Sequence, residues 1–165
     1  MAGFLGKLFG GNKSEKDVKK IQPYVGKINA FFESFQKLSN DELRSKTSEF
    51  RQRIKEYLNA IDEEIKAKNA AAEELPFGDL FGKDAIYQEV DKLKKDRDNK
   101  IEAILDELIP EAFAVVKETA RRFKEKTEIV ATATAMDRDL GVKRDYIKID
   151  GDKSIFKNTW SRRAR

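Results

Sequence analysis

The chain has 165 residues, a formal net charge of +4 and 39% charged side chains, against about a quarter in ordinary globular domains. It has no histidine and no cysteine, which removes the commonest general base and metal ligand near neutral pH, disulfides, thiolate nucleophiles and cysteine-type zinc sites. The net charge is too small and too dispersed for a nucleic-acid-binding face, and no apolar run approaches the roughly 20 residues that span a bilayer.

In chain order, residues 1–13 form an apolar tip. Phe4, Leu5, Leu8 and Phe9 surround Lys7, and Lys13, Lys16, Lys19 and Lys20 follow. Apolar side chains backed by lysines suit a bilayer interface with anionic headgroups, where each basic residue contributes about 1 kcal/mol; the alternative is that the phenylalanines pack on the protein itself. The opening MAGFLGKLFGG is too short in its apolar part for a signal peptide and lacks a small-residue cleavage site. Together with the missing cysteines, this leads us to expect a cytoplasmic protein. Gly6 to Ser14 superficially resembles a phosphate-binding loop, but Asn12 stands where glycine must precede the lysine, and no strand comes before it.

Residues 14–126 read as helical. Val18, Ile21, Val25, Ile28, Phe31, Phe32 and Phe35 mark a first helix starting at Ser14, which Pro23 is expected to kink or restart. A second helix carries Leu43, Thr47, Phe50, Ile54, Tyr57, Leu58, Ile61 and Ile65 in alternating steps of four and three. Ser39 and Glu42 have the spacing of a reciprocal capping box. The pairs Glu42/Lys46, Glu49/Arg53, Asp62/Lys66 and Glu64/Lys68 have supportive order on its outer surface. A matching seam follows at Ile86, Val90, Leu93, Ile101, Ile104 or Leu105, and Leu108, interrupted by Arg97. Pro76, Gly78 and Gly82 break the chain between the two, so the simplest arrangement is an antiparallel αα-hairpin over 39–108.

A further helix is expected from Pro110 in its first turn to Arg121 and Arg122 near its end, with Phe113, Val116, Ala120 and Phe123 on its buried face. Segment 127–160 holds an ambiguous run, Ile129 to Thr134, that alternates as a strand can. Two β-like runs, Tyr146–Ile149 and Ser154–Lys157, then flank an Asp150-Gly151 turn. Asp150-Gly151-Asp152 is too short for a calcium loop. A hairpin alone is marginal in water, so this one should lean on helices or on more sheet. Residues 161–165 form a basic tail. The fold class is mainly α: a long antiparallel helical hairpin packed with N-terminal and central helices, plus a small C-terminal β-hairpin. The abundant carboxylates read as solvated outer-face residues, and no catalytic constellation or internal repeat is visible. The residues alone describe a helical interaction module with a β appendage.

LSNDELRSKTSEFRQRI (Leu38–Ile54) and LIPEAFAVVKETARR (Leu108–Arg122) closely resemble the opening of SecA, the preprotein translocase ATPase of bacteria. GFLGKLFG, IQPYVGKINAFF and the IDGDK turn are similar to the same family, in forms with an enlarged N-terminal region. The resemblance implies a cytoplasmic motor, peripheral at the inner face of the membrane, that binds the SecYEG channel and anionic lipid and drives unfolded preproteins outward by ATP hydrolysis. It implies membrane or channel contact, and possible homodimer contact, at Phe4, Leu5, Lys7, Leu8 and Phe9, with Lys13, Lys16, Lys19 and Lys20 behind them. ATP and magnesium belong to the family's Walker A and Walker B motifs and adenine-contacting glutamine, which have no counterpart here. The tail SRRAR departs from the family's continuation. The expectation is therefore a truncated SecA without catalytic, cofactor or metal residues, inactive alone; a free-standing peripheral-membrane or adaptor module is the alternative.

Overall fold

The computed structural model describes residues 13–158. Its elements are α1 (Lys13–Phe35), α2 (Asn40–Glu74), α3 (Leu80–Glu125), β1 (Glu128–Thr132), α4 (Ala135–Lys143), β2 (Ile147–Asp150) and β3 (Lys153–Lys157). The mainly helical class with a small β element near the C-terminus is what the sequence pattern leads one to expect. The chain divides into two compact units, Lys46–Ile109 and the remainder.

Within Lys46–Ile109, α2 and α3 form the helical hairpin. Arg53 pairs with Glu107, Tyr57 with Lys100, Asp62 with Arg97 and Lys68 with Glu89. The partner number falls as the first number rises, which makes the two helices antiparallel. Leu58, Ile61, Ala72, Val90, Ile104 and Leu108 are buried along the seam. Leu105 is exposed, so Ile104 is the inward residue of that pair, while Thr47 and Tyr57 also lie outward. Arg97, which interrupts the apolar pattern, donates to Asp62 across the hairpin. Ion pairs at the margin of a narrow seam thus let a highly charged sequence close on itself.

In the other unit, α1 meets the start of α2 and the end of α3 around Phe35, Leu43 and Ala114, with Ile28, Phe32, Leu38 and Val115 packed against them. Helix α1 continues through Pro23, and Pro110 lies inside the 46-residue α3 rather than opening a new helix. Pro110 lacks the N–H that would donate to the Asp106 carbonyl, yet α3 runs on through it.

The expected inward face of this last stretch is also corrected. Phe113 and Val116 are 60% and 66% exposed, and Ala120 is exposed; Ala114, Glu118 and Arg122 point inward instead. Small Ala114 permits close approach of Phe35 and Leu43, and Glu118 and Arg122 can be buried because they neutralise one another.

The ambiguous run becomes β1, and the sheet is antiparallel in the order β1-β3-β2, with Ala131 opposite Ser154 and Ile149 opposite Ser154 on the other side. The expected hairpin is β2–β3, turning at Gly151, whose φ of 58° lies where residues with a Cβ are strained. It gains the third strand that a lone hairpin needs. Helix α4 was not legible as a separate element. It starts from a capping box between Thr134 and Asp137 and rests on β2, where Gly141 leaves just enough room for Ile149.

Candidate functional site

The most organised polar region joins the α1–α2 turn, the end of α3 and the strand β1. Reciprocal hydrogen bonds between Ser39 and Glu42 start α2, as their spacing anticipates: Ser39 N donates to Glu42 Oε2 at 2.7 Å, and Glu42 N donates to Ser39 Oγ at 3.2 Å. The Glu42 carboxyl is held below its ordinary range chiefly by that backbone N–H.

Arg122, one turn after the fully buried Glu118, is the hub. Its Nε donates to Glu118 Oε1 at 2.7 Å and Nη1 to Asn40 Oδ1 at 2.8 Å. Its Nη2 donates to the carbonyls of Phe35 and Leu38 at 3.2 and 2.6 Å. One planar guanidinium therefore satisfies carbonyls at the end of α1, fixes the first residue of α2 and neutralises a buried carboxylate. Arg121 grips the same carboxylate through Nε and Nη2, both at 2.8 Å, and also pairs with Glu125. Hydrogen bonding from Arg121, reinforced by Arg122, depresses the Glu118 pKa against the opposing effect of burial.

A second arginine extends the network. Arg44 Nη2 donates to Asp137 Oδ1 at 2.6 Å and Nη1 to the Thr132 carbonyl at 3.2 Å, with its guanidinium carbon 6.0 Å from the centre of the Phe156 ring. Asp137, 2% exposed, also accepts from the Thr134 N–H at 2.9 Å through Oδ2. Arg44 first, then Thr134, push its pKa far below the ordinary aspartate value. Asp41 accepts from both the N–H and the hydroxyl of Thr132 at 2.8 and 2.9 Å, and Asn40 Nδ2 donates to the Val130 carbonyl at 2.7 Å. The first turn of α2 is thereby stitched to β1.

A cleft of about 330 Å³ opens beside this network, with Ser39, Asn40, Arg121, Arg122 and Lys126 among its walls. Two of its cations, Arg121 and Arg122, are committed to Glu118. Carboxylates so firmly paired are poor proton acceptors near neutral pH, and the arrangement acts as a lock rather than as acid–base machinery. Among the described residues, no group of three or more acidic side chains is placed to hold a metal ion, and no helix is long and apolar enough to cross a membrane.

Of the residues singled out in the sequence for membrane or channel contact, Phe4, Leu5, Lys7, Leu8 and Phe9 lie outside the described residues. Lys13 and Lys16 fall in the opening turns of α1, and Lys19 and Lys20 are exposed on it. The reading of the carboxylates as solvated fails for Glu118 and Asp137, both fully enclosed. The signals that could have found them were local: Glu118 stands three and four residues before two arginines, and Thr134 stands three before Asp137.

A charged helical hairpin makes up one unit and an arginine-locked helix–sheet assembly the other, a mainly helical architecture with a small antiparallel sheet. The model of the SecA DEAD-like domain matches residues 5–134, and the chain belongs to the SecA family. It is similar to the protein translocase subunit SecA of Parabacteroides distasonis, at 45% identity over 161 residues. It is also similar to the SecA proteins of Christiangramia forsetii (45% over 154 residues) and Porphyromonas gingivalis (41% over 157 residues). These alignments cover 95%, 93% and 95% of this chain but 14% of each relative, so the chain spans about one seventh of their length. No solved structure gives a significant match.

Proposed function

We propose that this chain is the N-terminal part of a SecA-type motor of the Sec preprotein translocase. In this reading the longer protein couples ATP hydrolysis to export through SecYEG, and this segment supplies membrane or channel contact and scaffolding. The observation that carries the reading is the 45% identity to a protein translocase subunit over 95% of the chain. The locked carboxylates of Glu118 and Asp137 support a scaffold in preference to a reaction centre. ATP and magnesium are assigned to the rest of the motor and to none of these residues.

Membrane contact falls to Phe4, Leu5, Lys7, Leu8 and Phe9, with Lys13, Lys16, Lys19 and Lys20 facing anionic headgroups at the inner face of the cell membrane. Vesicle flotation tests it. The wild-type chain should float with anionic vesicles more than with neutral ones, and Phe4→Ala/Phe9→Ala should abolish most of that difference. Flotation indifferent to lipid charge and to both phenylalanines would contradict the assignment.

A further inference from the structure

The turn of the helical hairpin carries the two most exposed large apolar side chains of the described residues, with a third beside them. Phe77 is 96% exposed, Phe81 92% and Leu80 71%. Burying such a side chain is worth roughly 1.5–3 kcal/mol, so three together form a strong anchor for another surface. They sit on a built turn rather than a loose one. Asp79 N donates to the Pro76 carbonyl at 3.0 Å, and Leu80 N to that of Gly78 at 3.0 Å. Asp79 Oδ1 accepts from the Gly82 N–H at 2.9 Å, and its carbonyl accepts from Lys83 N at 3.1 Å. Gly82 lets that carboxylate sit close to the backbone: a Cβ there would stand 2.4 Å from Asp79 Oδ2 and make the side chain shift. Aromatic side chains on a pre-ordered turn lose little further backbone freedom on docking.

The surrounding charge indicates what kind of surface fits. Glu73, Glu74, Asp79 and Asp84, all exposed, flank the three apolar residues in the chain, and Lys83 is the one cation of residues 73–84. An acidic collar is repelled by anionic headgroups, the opposite of the lysine-backed tip at residues 4–20. We propose that Phe77, Leu80 and Phe81 form a docking knob for a protein partner that presents an apolar pocket rimmed by lysine and arginine. Aromatic anchors in a desolvated pocket carry most of such an interface's energy, while complementary rim charge sets its on-rate and specificity. The inference rests on the proposed translocase reading for one step, the choice of partner. Cytoplasmic loops of membrane proteins carry an excess of lysine and arginine, so the cytoplasmic face of the channel has the required chemistry.

The test measures binding of the 165-residue chain to SecYEG in zwitterionic nanodiscs, with empty zwitterionic and empty anionic nanodiscs as separate arms. Phe77→Ser/Phe81→Ser should weaken binding to the channel at least tenfold while leaving helicity by circular dichroism unchanged. Glu73→Lys/Glu74→Lys should weaken it severalfold, with a reduced dependence on salt, and neither variant should lose binding to the empty discs. Channel binding unaffected by both variants would overturn the knob, even if the translocase reading stands. Loss confined to the empty anionic discs would assign the knob to lipid and overturn the proposal. Absence of any channel binding by the wild type would overturn the translocase reading together with this one.

Discussion

Both units of this molecule are rich in ion pairs, yet the pairs do different things in each. In Lys46–Ile109 they are exposed: Asp62 and Arg97 retain 44% and 35% of their side-chain surface, and Glu89 and Lys68 retain 56% and 34%. The hairpin is held by its apolar seam, and the charges keep a narrow core from being swamped by water. In the other unit Glu118 and Arg122 retain 0% and 6%, and Asp137 retains 3%. There the charges replace apolar residues at the centre of the packing. The same residue types are peripheral in one setting and structural in the other, and burial decides which.

Breaking the hub should have the largest effect. Arg122→Ala leaves Glu118 with Arg121 as its remaining arginine and removes the hydrogen bonds to Asn40 and to the Leu38 carbonyl. Removing one member of a buried pair costs about 3–5 kcal/mol when the other charge is left alone; Arg121 still neutralises Glu118, so chemical denaturation should show a loss at the lower end of that range.

Acid should act next, and on the buried pairs first. Arg44 and Thr134 lower the Asp137 pKa, and Arg121 with Arg122 lowers that of Glu118. Carboxylates depressed in the folded state contribute fully above their unfolded values, near pH 4. That contribution is lost as pH falls from there through the lower folded values. Denaturation followed at decreasing pH should therefore show a plateau at neutral pH and a decline below about pH 4. Asp137→Asn should be less stable at neutral pH and show a shallower decline.

The smallest effect is expected in the hairpin. Asp62→Asn and Arg97→Gln, singly and together, should give a coupling energy indistinguishable from experimental scatter, because exposed pairs gain little over their hydration. A coupling as large as that of Glu118 with Arg122 would erase the contrast between the units.

How far the sequence discloses this arrangement follows the same contrast. The hairpin was legible because its stability resides in apolar spacing, and Leu58, Ile61, Val90 and Leu108 follow the periodic pattern directly. The Ser39–Glu42 cap and the Asp150-Gly151 turn were legible because each is a local motif. The inward face of late α3 was not, because hydrophobicity assigns Phe113 and Val116 to the core in preference to Glu118 and Arg122. A buried ion pair becomes favourable only once Asn40, Phe35 and Leu38, more than 80 residues away in sequence, supply its remaining hydrogen bonds. Helix α4 is short and weakly amphipathic, and its start depends on Asp137, which Arg44 holds from the far side of the sequence. The displayed aromatics at Phe77 and Phe81 lie in a segment read only as a break between helices.

Hydrogen exchange on Arg122→Ala shows whether the buried arginine fastens the start of α2 to β1. Exchange should be faster at backbone amides of residues 38–44 and 128–134, where Asn40, Asp41 and Arg44 join α2 to β1, with protection kept at Leu58, Val90 and Ile104. Wild-type protection throughout residues 38–44 and 128–134 in that variant would contradict it.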